Sequence, residues 1–279
     1  MQLGQRAVQH LLGQALGQGF HHRLHRLAFG EQAIWSDLNF EVQPGEFIAI
    51  IGANGSGKSM LLKSILGQQT LSSGSIELLG KRAGFGSREI GYIPQHRILG
   101  TDLPLRVIDA VRFGLDGHKF GLPLPSKAMK TKAMRALEAV DAAHLADKPV
   151  GQLSGGEMQR VRVAQAVISK PSLVLADEPL SALDLHHQGV VSELIHAQAS
   201  EQKAAVLFVT HDVNPIIDFV DRVLYLAQGR YSIGTADEVL QSDVLSELYG
   251  TEIDVVRNQG RVVVLGAHDH DHHEAEEWL

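Results

Sequence analysis

Residues 52–59 read GANGSGKS, and they decide how this chain folds. They fit the pattern G-x-x-x-x-G-K-[ST] of a phosphate-binding loop, and the apolar residues 47–51 before them predict a strand. Residues 58–66 predict a helix that leaves the loop and stops at Gly67. Glycines let successive amides turn towards an anion, and the start of a helix adds partial positive charge. The segment therefore predicts a site for the phosphates of a nucleotide.

The loop positions divide into backbone and side-chain contacts with the nucleotide. Lys58 is expected to reach the β- and γ-phosphates, and the Ser59 hydroxyl is expected to bind Mg²⁺. The predicted nucleotide-binding residues of this segment are Gly52, Ala53, Asn54, Gly55, Ser56, Gly57, Lys58, Ser59 and Met60.

Two carboxylates follow a second predicted strand. Residues 173–176 form an apolar run typical of a buried parallel strand, and Asp177 and Glu178 come directly after it. Open α/β sheets bind ligands at the carboxyl ends of their strands. Asp177 is therefore expected to hold the Mg²⁺ shell. Glu178 is expected to act as general base, or to orient the attacking water.

Composition limits the classes of protein to which the chain can belong. Its 279 residues suit one large domain or one domain with an inserted subdomain. A net charge of −7 argues against a nucleic-acid partner, and the absence of cysteine fits a reducing compartment. No apolar run is long enough to span a membrane, and residues 1–20 lack the layout of a signal peptide. Any action on a membrane is therefore expected to require a partner.

Four further segments, in chain order, make the chain resemble the nucleotide-binding subunit of an ABC transporter. They are YIPQH with Gln95 at the Q-loop position, LSGGEMQR at residues 153–160 as the signature motif, SALD at residues 181–184 as the D-loop, and THD with His211 as the switch histidine. The resemblance covers residues 24–245 and implies an α/β fold. That fold has a P-loop NTPase core, an antiparallel β subdomain and an inserted α-helical subdomain.

The resemblance also implies the chemistry of the site. ATP and Mg²⁺ are the expected ligands, and Gln95 joins Ser59 and Asp177 around the metal ion. Lys58, Glu178 and His211 are the implied catalytic residues, with His211 contacting the γ-phosphate. A head-to-tail dimer is implied when ATP is bound, and because each motif occurs once, it is either a homodimer or a dimer with a separate partner chain. The residues implied to act across that interface are Ser154, Gly155, Gly156 and Asp184.

An aromatic residue upstream of the loop is implied to stack on adenine. Phe29 is the preferred candidate, because Phe29-Gly30 falls where the family commonly has an aromatic-Gly pair. Trp35 is the alternative, but its place before Ser36-Asp37-Leu38 predicts a packed strand position.

The chain divides into four predicted parts: an N-terminal extension at residues 1–23, an ABC ATPase domain at residues 24–250, a C-terminal strand segment at 251–267 and a disordered tail at 268–279. The helical subdomain is expected at about residues 96–152 of the ATPase domain. In the family this subdomain contacts the membrane subunits. The tail residues His268, His270, His272 and His273 form a possible transition-metal site, or a tail that binds metal without consequence.

The segment from 213 to 256 is similar to the ATPases of zinc and manganese uptake systems, with a leucine-rich stretch ending in Leu-Tyr-Gly. The implied function is to energise the import of zinc or manganese. Two permease subunits and an extracellular substrate-binding protein are the implied partners, and the cytoplasmic face of the membrane is the implied location. An ATPase of a ferric-chelate or haem importer, or of a small exporter, remains the alternative. A soluble, non-transport ABC protein is disfavoured because the chain carries one nucleotide domain and no long coiled-coil insertion.

Overall fold

The computed structural model describes residues 20–29, 32–36, 38–78, 81–82, 87–95, 105–117 and 126–266. Within these ranges lie thirteen strands and seven α-helices. The strands are β1 Phe20–Phe29, β2 Gln32–Ser36, β3 Asn39–Val42, β4 Phe47–Gly52, β5 Ser73–Leu78, β6 Lys81–Arg82, β7 Ile90–Ile93, β8 Leu173–Asp177, β9 Ala205–Val209, β10 Arg222–Ala227, β11 Arg230–Gly234, β12 Ile253–Asn258 and β13 Arg261–Gly266. The helices are α1 Lys58–Ile65, α2 Val107–Asp116, α3 Lys127–Glu138, α4 Gly155–Val167, α5 Leu185–Ser200, α6 Ala236–Val239 and α7 Ser242–Tyr249.

The central sheet has the order β11-β10-β4-β9-β8-β7. All neighbouring pairs are parallel except β10 and β11, which are antiparallel. β4, β8 and β9 are buried at every residue and consist almost wholly of apolar side chains, as parallel strands covered on both faces require. The strands predicted at residues 47–51 and 173–176 are therefore confirmed.

The register of this sheet brings the predicted ligand-binding segments to one edge. Val209 of β9 lies opposite Ile50 of β4 on one side and Asp177 of β8 on the other. Because the carboxyl ends of parallel strands meet at the same edge, the loop after β4 and the acidic pair after β8 start close together.

Alternate residues of the central strands pack into two apolar layers, because successive side chains of a strand point to opposite faces. On one face, Ile48 and Ile50 pack with α1 and with buried residues of the antiparallel sheet. On the other face, Phe47 and Ala49 join a layer to which α2, α3, α4 and α5 contribute. The strands that lead to the site, β4, β8 and β9, are therefore covered on both faces.

The antiparallel sheet is built around β1, which pairs with β2, β3 and β5; β5 then pairs with β6. β1 begins at Phe20, inside the segment 1–23 that the sequence predicts as an extension. The domain boundaries themselves stay a prediction. Helices α2, α3 and α4 pack against one another, in and just beyond the region 96–152 predicted as the helical subdomain.

Local signals account for where the helices start and stop. α1 ends at Ile65, and Gly67 adopts a φ of 69°, so the predicted stop is confirmed. α3 begins at Lys127, where the Ser126 hydroxyl accepts a hydrogen bond from the Met129 amide. Among the described helices, none is both long enough and apolar enough to cross a lipid bilayer.

Candidate functional site

The loop at residues 52–59 joins β4 to α1 and depends on glycine at two close contacts. Gly52 has a φ of 150°, and a Cβ there would collide with the main-chain carbonyl of Leu226. Gly57 has a φ of 95°, and a Cβ there would collide with Trp35. Both positions exclude larger residues because the backbone approaches its neighbours so closely. The loop is therefore held in one shape by the sheet on one side and by Trp35 on the other.

Trp35 packs against the phosphate loop and donates a hydrogen bond to it. Its side chain is 1% exposed, and its indole Nε1 donates a hydrogen bond to the Ser56 carbonyl at 2.9 Å. Trp35 was the alternative candidate for stacking on adenine. Its burial and its hydrogen bond instead make it a packed strand residue, as its place in the sequence predicts. The Phe29 side chain lies outside the described residues, so its contact with adenine stays a prediction. The support by Trp35 could not be read from the sequence, because it depends on how two sheets pack.

We expect Trp35→Phe to raise the KM for ATP about fivefold, with a smaller change in kcat. The substitution removes the hydrogen bond to Ser56 and leaves a small cavity under the loop, and a buried hydrogen bond contributes about 1 kcal/mol. Phe40→Leu is the matched control, because Phe40 is 4% exposed in the same apolar layer but belongs to β3. Steady-state phosphate release at varied ATP measures both. An unchanged KM in Trp35→Phe would contradict the supporting role.

Lys58 is 6% exposed and lies within its own loop. Its Nζ donates to the carbonyls of Gly52 at 2.6 Å and Ala53 at 2.9 Å. Burial lowers the pKa of Lys58, and the nearby carboxylates of Glu178 and Asp177 oppose that shift. A phosphate chain beside this ammonium would supply the negative charge that favours its charged form. The Lys58 ammonium is therefore placed to bind an anion at the loop.

Ser59 and Asp177 meet beside the loop. The Ser59 hydroxyl donates to Asp177 Oδ1 at 3.1 Å, and Asp177 is only 4% exposed. Burial raises the pKa of Asp177, with a smaller contribution in the same direction from Glu178, while the bond from Ser59 lowers it. A hydroxyl and a carboxylate are hard oxygen ligands of the kind Mg²⁺ prefers, and a cation here would favour the ionised Asp177. These residues fit the predicted Mg²⁺.

Glu178 and Gln95 are bonded to each other. Gln95 Nε2 donates to Glu178 Oε2 at 2.7 Å, although the two residues are 83 positions apart. Glu178 has a φ of 48°, and its amide donates to the Val209 carbonyl at 3.0 Å. A glutamate with positive φ is uncommon and is held here by the strand beside it. Glu178 is thereby turned out of β8 towards the end of β7.

His211 and Glu178 line one small cavity of about 190 Å³. His211 is exposed and follows β9, and Thr210 fixes the turn at that point. The Thr210 hydroxyl donates to the Asp212 carbonyl at 2.7 Å and accepts from the Asp212 amide at 3.1 Å. The volume is sufficient for several water molecules, each of which needs about 30 Å³. Thr210, the first residue of the THD motif, is not among the site residues predicted from the sequence.

The signature segment begins helix α4. Ser154 is its N-cap: the hydroxyl accepts from the Glu157 amide at 3.2 Å, and the Ser154 amide donates to the Glu157 carboxylate at 2.7 Å. That bond is the main reason why the pKa of Glu157 is lowered. Gly155 and Gly156 form the exposed first turn, and a Cβ on Gly156 would lie 2.9 Å from the Ala182 carbonyl.

Asp184 caps the next helix, α5. Its Oδ1 accepts from the His187 amide at 2.9 Å, and this bond lowers the pKa of Asp184. The carboxylate is exposed, at the end of the segment that packs against Gly156. The structure thus brings together five predicted site residues: Lys58, Ser59, Asp177, Glu178 and Gln95. The signature lies in a second place, beside the segment that ends at Asp184. The tail residues His268, His270, His272 and His273 lie outside the described residues.

The chain resembles proteins of known structure. A family model described as ABC transporter matches residues 35–181, which are 147 of the 279 residues. An inward-facing ABC transporter provisionally assigned to the metal-chelate type is 29% identical, with a TM-score of 0.72 over 88% of this chain and 95% of that one. The dimeric bacterial cassette MJ0796 is 25% identical, with a TM-score of 0.65 over 78% of this chain and 97% of that one. A dimeric post-hydrolysis state of MJ0796 with ADP and Pi is 26% identical, with a TM-score of 0.65 over 77% of this chain and 97% of that one.

Proposed function

Because the chain belongs to the ABC transporter family, we propose that it is the ATP-hydrolysing subunit of an importer for a transition metal ion, zinc or manganese. The ABC ATPase cassette fold predicted from the sequence is confirmed. One observation carries the catalytic part of the proposal. The phosphate loop and the carboxylates of Asp177 and Glu178 meet at one edge of a buried parallel sheet.

The proposed reaction divides the work among these residues. The loop amides and Lys58 bind the phosphates of ATP, and Ser59, Asp177 and Gln95 hold Mg²⁺. The metal ion supplies charge neutralisation at the phosphates. Glu178 accepts the proton of the attacking water, or orients that water, in the cavity that it shares with His211. His211, which lines the same cavity, donates to the γ-phosphate oxygens.

A dimer is proposed because the signature lies away from the loop within one chain. Helix α4 packs against β7, which is three strands from β4 in the central sheet, or about 14 Å at the usual strand spacing. The signature amides of one copy therefore serve the nucleotide on a second copy. The similar cassette MJ0796 was solved as a dimer, which supports a dimer of this chain.

Membrane subunits are proposed to dock beside Gln95. A cleft of about 850 Å³ lies between β7, α2 and α4, and Tyr92 and Pro94 at its edge lead directly to Gln95. Movement of a partner in this cleft would reach Glu178 through the Gln95 hydrogen bond. We propose two permease subunits here, an extracellular substrate-binding protein beyond them, and a location on the cytoplasmic face of the membrane.

The cargo is inferred from the C-terminal part of the chain and from one relative. The leucine-rich helix α7 ends at Tyr249 before Gly250, as in the resemblance to zinc and manganese systems. The relative assigned to the metal-chelate type supports a metal cargo, and it also favours a second candidate, import of a ferric chelate. The ATP site does not distinguish these, since its residues contact only nucleotide and Mg²⁺.

Metal content of cells tests the cargo. Deletion of the gene in metal-poor medium should lower cellular zinc or manganese severalfold, as measured by elemental mass spectrometry. A Glu178→Gln copy should fail to restore the metal, while the unaltered gene restores it fully. A fall in cellular iron alone would indicate that the cargo is chelated iron and not zinc or manganese. Unchanged zinc, manganese and iron would contradict metal import altogether.

A further inference from the structure

A group of metal-binding side chains lies outside the ATP site. Asp141 stands in the turn after α3, while His186 and His187 are the second and third residues of α5. One ligand atom from each of the three residues lies within 4.8 Å of the others. Neither His186 nor Asp141 has a part in the nucleotide chemistry described above.

The separation between His186 and Asp141 suits a shared cation better than a direct bond. His186 Nε2 and Asp141 Oδ2 are 3.5 Å apart, which exceeds the usual length of an N–H···O hydrogen bond. Two ligands of a tetrahedral zinc ion, each about 2.0–2.1 Å from the metal, are about 3.4 Å apart. The two atoms therefore already have the spacing of neighbouring ligands of one ion.

His187 is oriented as a metal ligand usually is. Its Nδ1 lies 2.8 Å from both carboxylate oxygens of Asp184, so Nε2 is the nitrogen left for a cation. Metal-binding histidines almost always bond their second nitrogen to a carboxylate or a carbonyl, which fixes the ring and makes the ligand more basic. Asp184 supplies that bond here.

Asp141 stands on a fixed main chain. It has a φ of 52°, and its amide donates to the Glu138 carbonyl at 3.1 Å. Arg160, which is 7% exposed, donates from Nη1 to the carbonyls of Val140 and Asp141 at 3.0 and 2.6 Å. The carboxylate therefore projects from a turn whose main chain a buried arginine holds, so the main chain needs little ordering on binding.

We propose that Asp141, His186 and His187 form a binding site for Zn²⁺ or a similar late first-row divalent cation, with water as the fourth ligand. Two imidazoles and one carboxylate are a common ligand set for zinc, whereas Mg²⁺, Ca²⁺ and Mn²⁺ favour oxygen ligands. The bound ion links the turn after α3 to the start of α5. The contact between His187 and Asp184 also connects the ion to the segment that packs against the signature helix.

Zinc titration of the purified full-length chain tests the site. The four tail histidines, His268, His270, His272 and His273, are first replaced by Asn to remove their background. In that chain, competition with a chromophoric chelator should detect zinc binding, and His186→Gln should weaken it about 100-fold. His144→Gln is the matched control, because His144 is also an exposed histidine close in sequence to Asp141. It should leave the affinity unchanged.

Asp141→Asn provides an independent second variant. Asn tolerates a positive φ, so the turn should keep its shape while the charge is lost. Zinc should raise the melting temperature of the tail-substituted chain, and this rise should shrink in both His186→Gln and Asp141→Asn. Equal zinc affinity in His186→Gln, Asp141→Asn and His144→Gln, or no zinc binding in the tail-substituted chain, would overturn the proposal. The readout is binding, so it does not depend on which cargo is transported.

Discussion

Glu178→Gln should lower the rate of ATP hydrolysis about a thousandfold and leave MgATP binding intact. A positioned general base contributes on the order of 10²–10⁴ in rate, and an amide cannot accept the proton of the attacking water. The amide oxygen of Gln can still accept the bond from Gln95 Nε2, so the local geometry should persist. The loss is therefore expected in kcat rather than in affinity.

Phosphate release and equilibrium nucleotide binding measure these two effects separately. Glu193→Gln is the matched control, because Glu193 is an exposed carboxylate on α5 outside the site, and its variant should hydrolyse ATP at the normal rate. A Glu178→Gln chain that retained more than about a tenth of the normal rate would remove Glu178 from the proton-transfer step.

Asp177→Asn should stabilise the chain without ligand and abolish the stabilisation by MgATP. Burial raises the pKa of Asp177 above its ordinary value of 3.8, so the folded state binds a proton more tightly than the unfolded chain. Stability from this group is therefore present at low pH and is lost as the pH rises from about 3.8 through the raised pKa. At neutral pH the ionised carboxylate is a net cost, and Asn removes it.

The expected gain is about 1 kcal/mol, or about 2–4 °C in melting temperature for a chain of this size. With saturating MgATP the order should reverse, because at 100 times Kd a ligand adds about 2.7 kcal/mol to the unsubstituted chain. Thermal unfolding with and without MgATP, and with EDTA, measures the reversal. Asp254→Asn, at an exposed carboxylate of β12, should change neither the melting temperature without ligand nor its rise with MgATP. If MgATP protected the Asp177→Asn chain as well as the unsubstituted one, Asp177 would have no part in holding the metal.

The parts of the site that were predictable have local signals. The strand at Phe47–Gly52 and the helix at Lys58–Ile65 follow from an apolar run, a glycine-rich pattern and a helix start within about twenty residues. Asp177 ends a continuous apolar run, and parallel strands place such residues at the ligand-binding edge. The N-cap at Ser154 is likewise encoded by the Glu three residues later.

The remaining contacts depend on how distant segments pack. Gln95 meets Glu178 because β7 pairs with β8, and no pattern within either segment indicates that pairing. Trp35 reaches the loop because the antiparallel sheet lies against the central one. Asp141 and His186 are 45 positions apart in the printed sequence, and each alone is an ordinary surface residue. Composition and periodicity contain none of this information.

The molecular mass of the Glu178→Gln chain in solution tests the central claim, that two copies complete one ATP site, most directly. Light scattering after size exclusion should give the 30.3 kDa monomer without nucleotide and twice that mass with saturating MgATP. Adding Ser154→Arg should abolish the dimer, since the signature of each copy is proposed to cover the nucleotide on the other. A chain that binds MgATP fully but stays at the monomer mass would contradict the account.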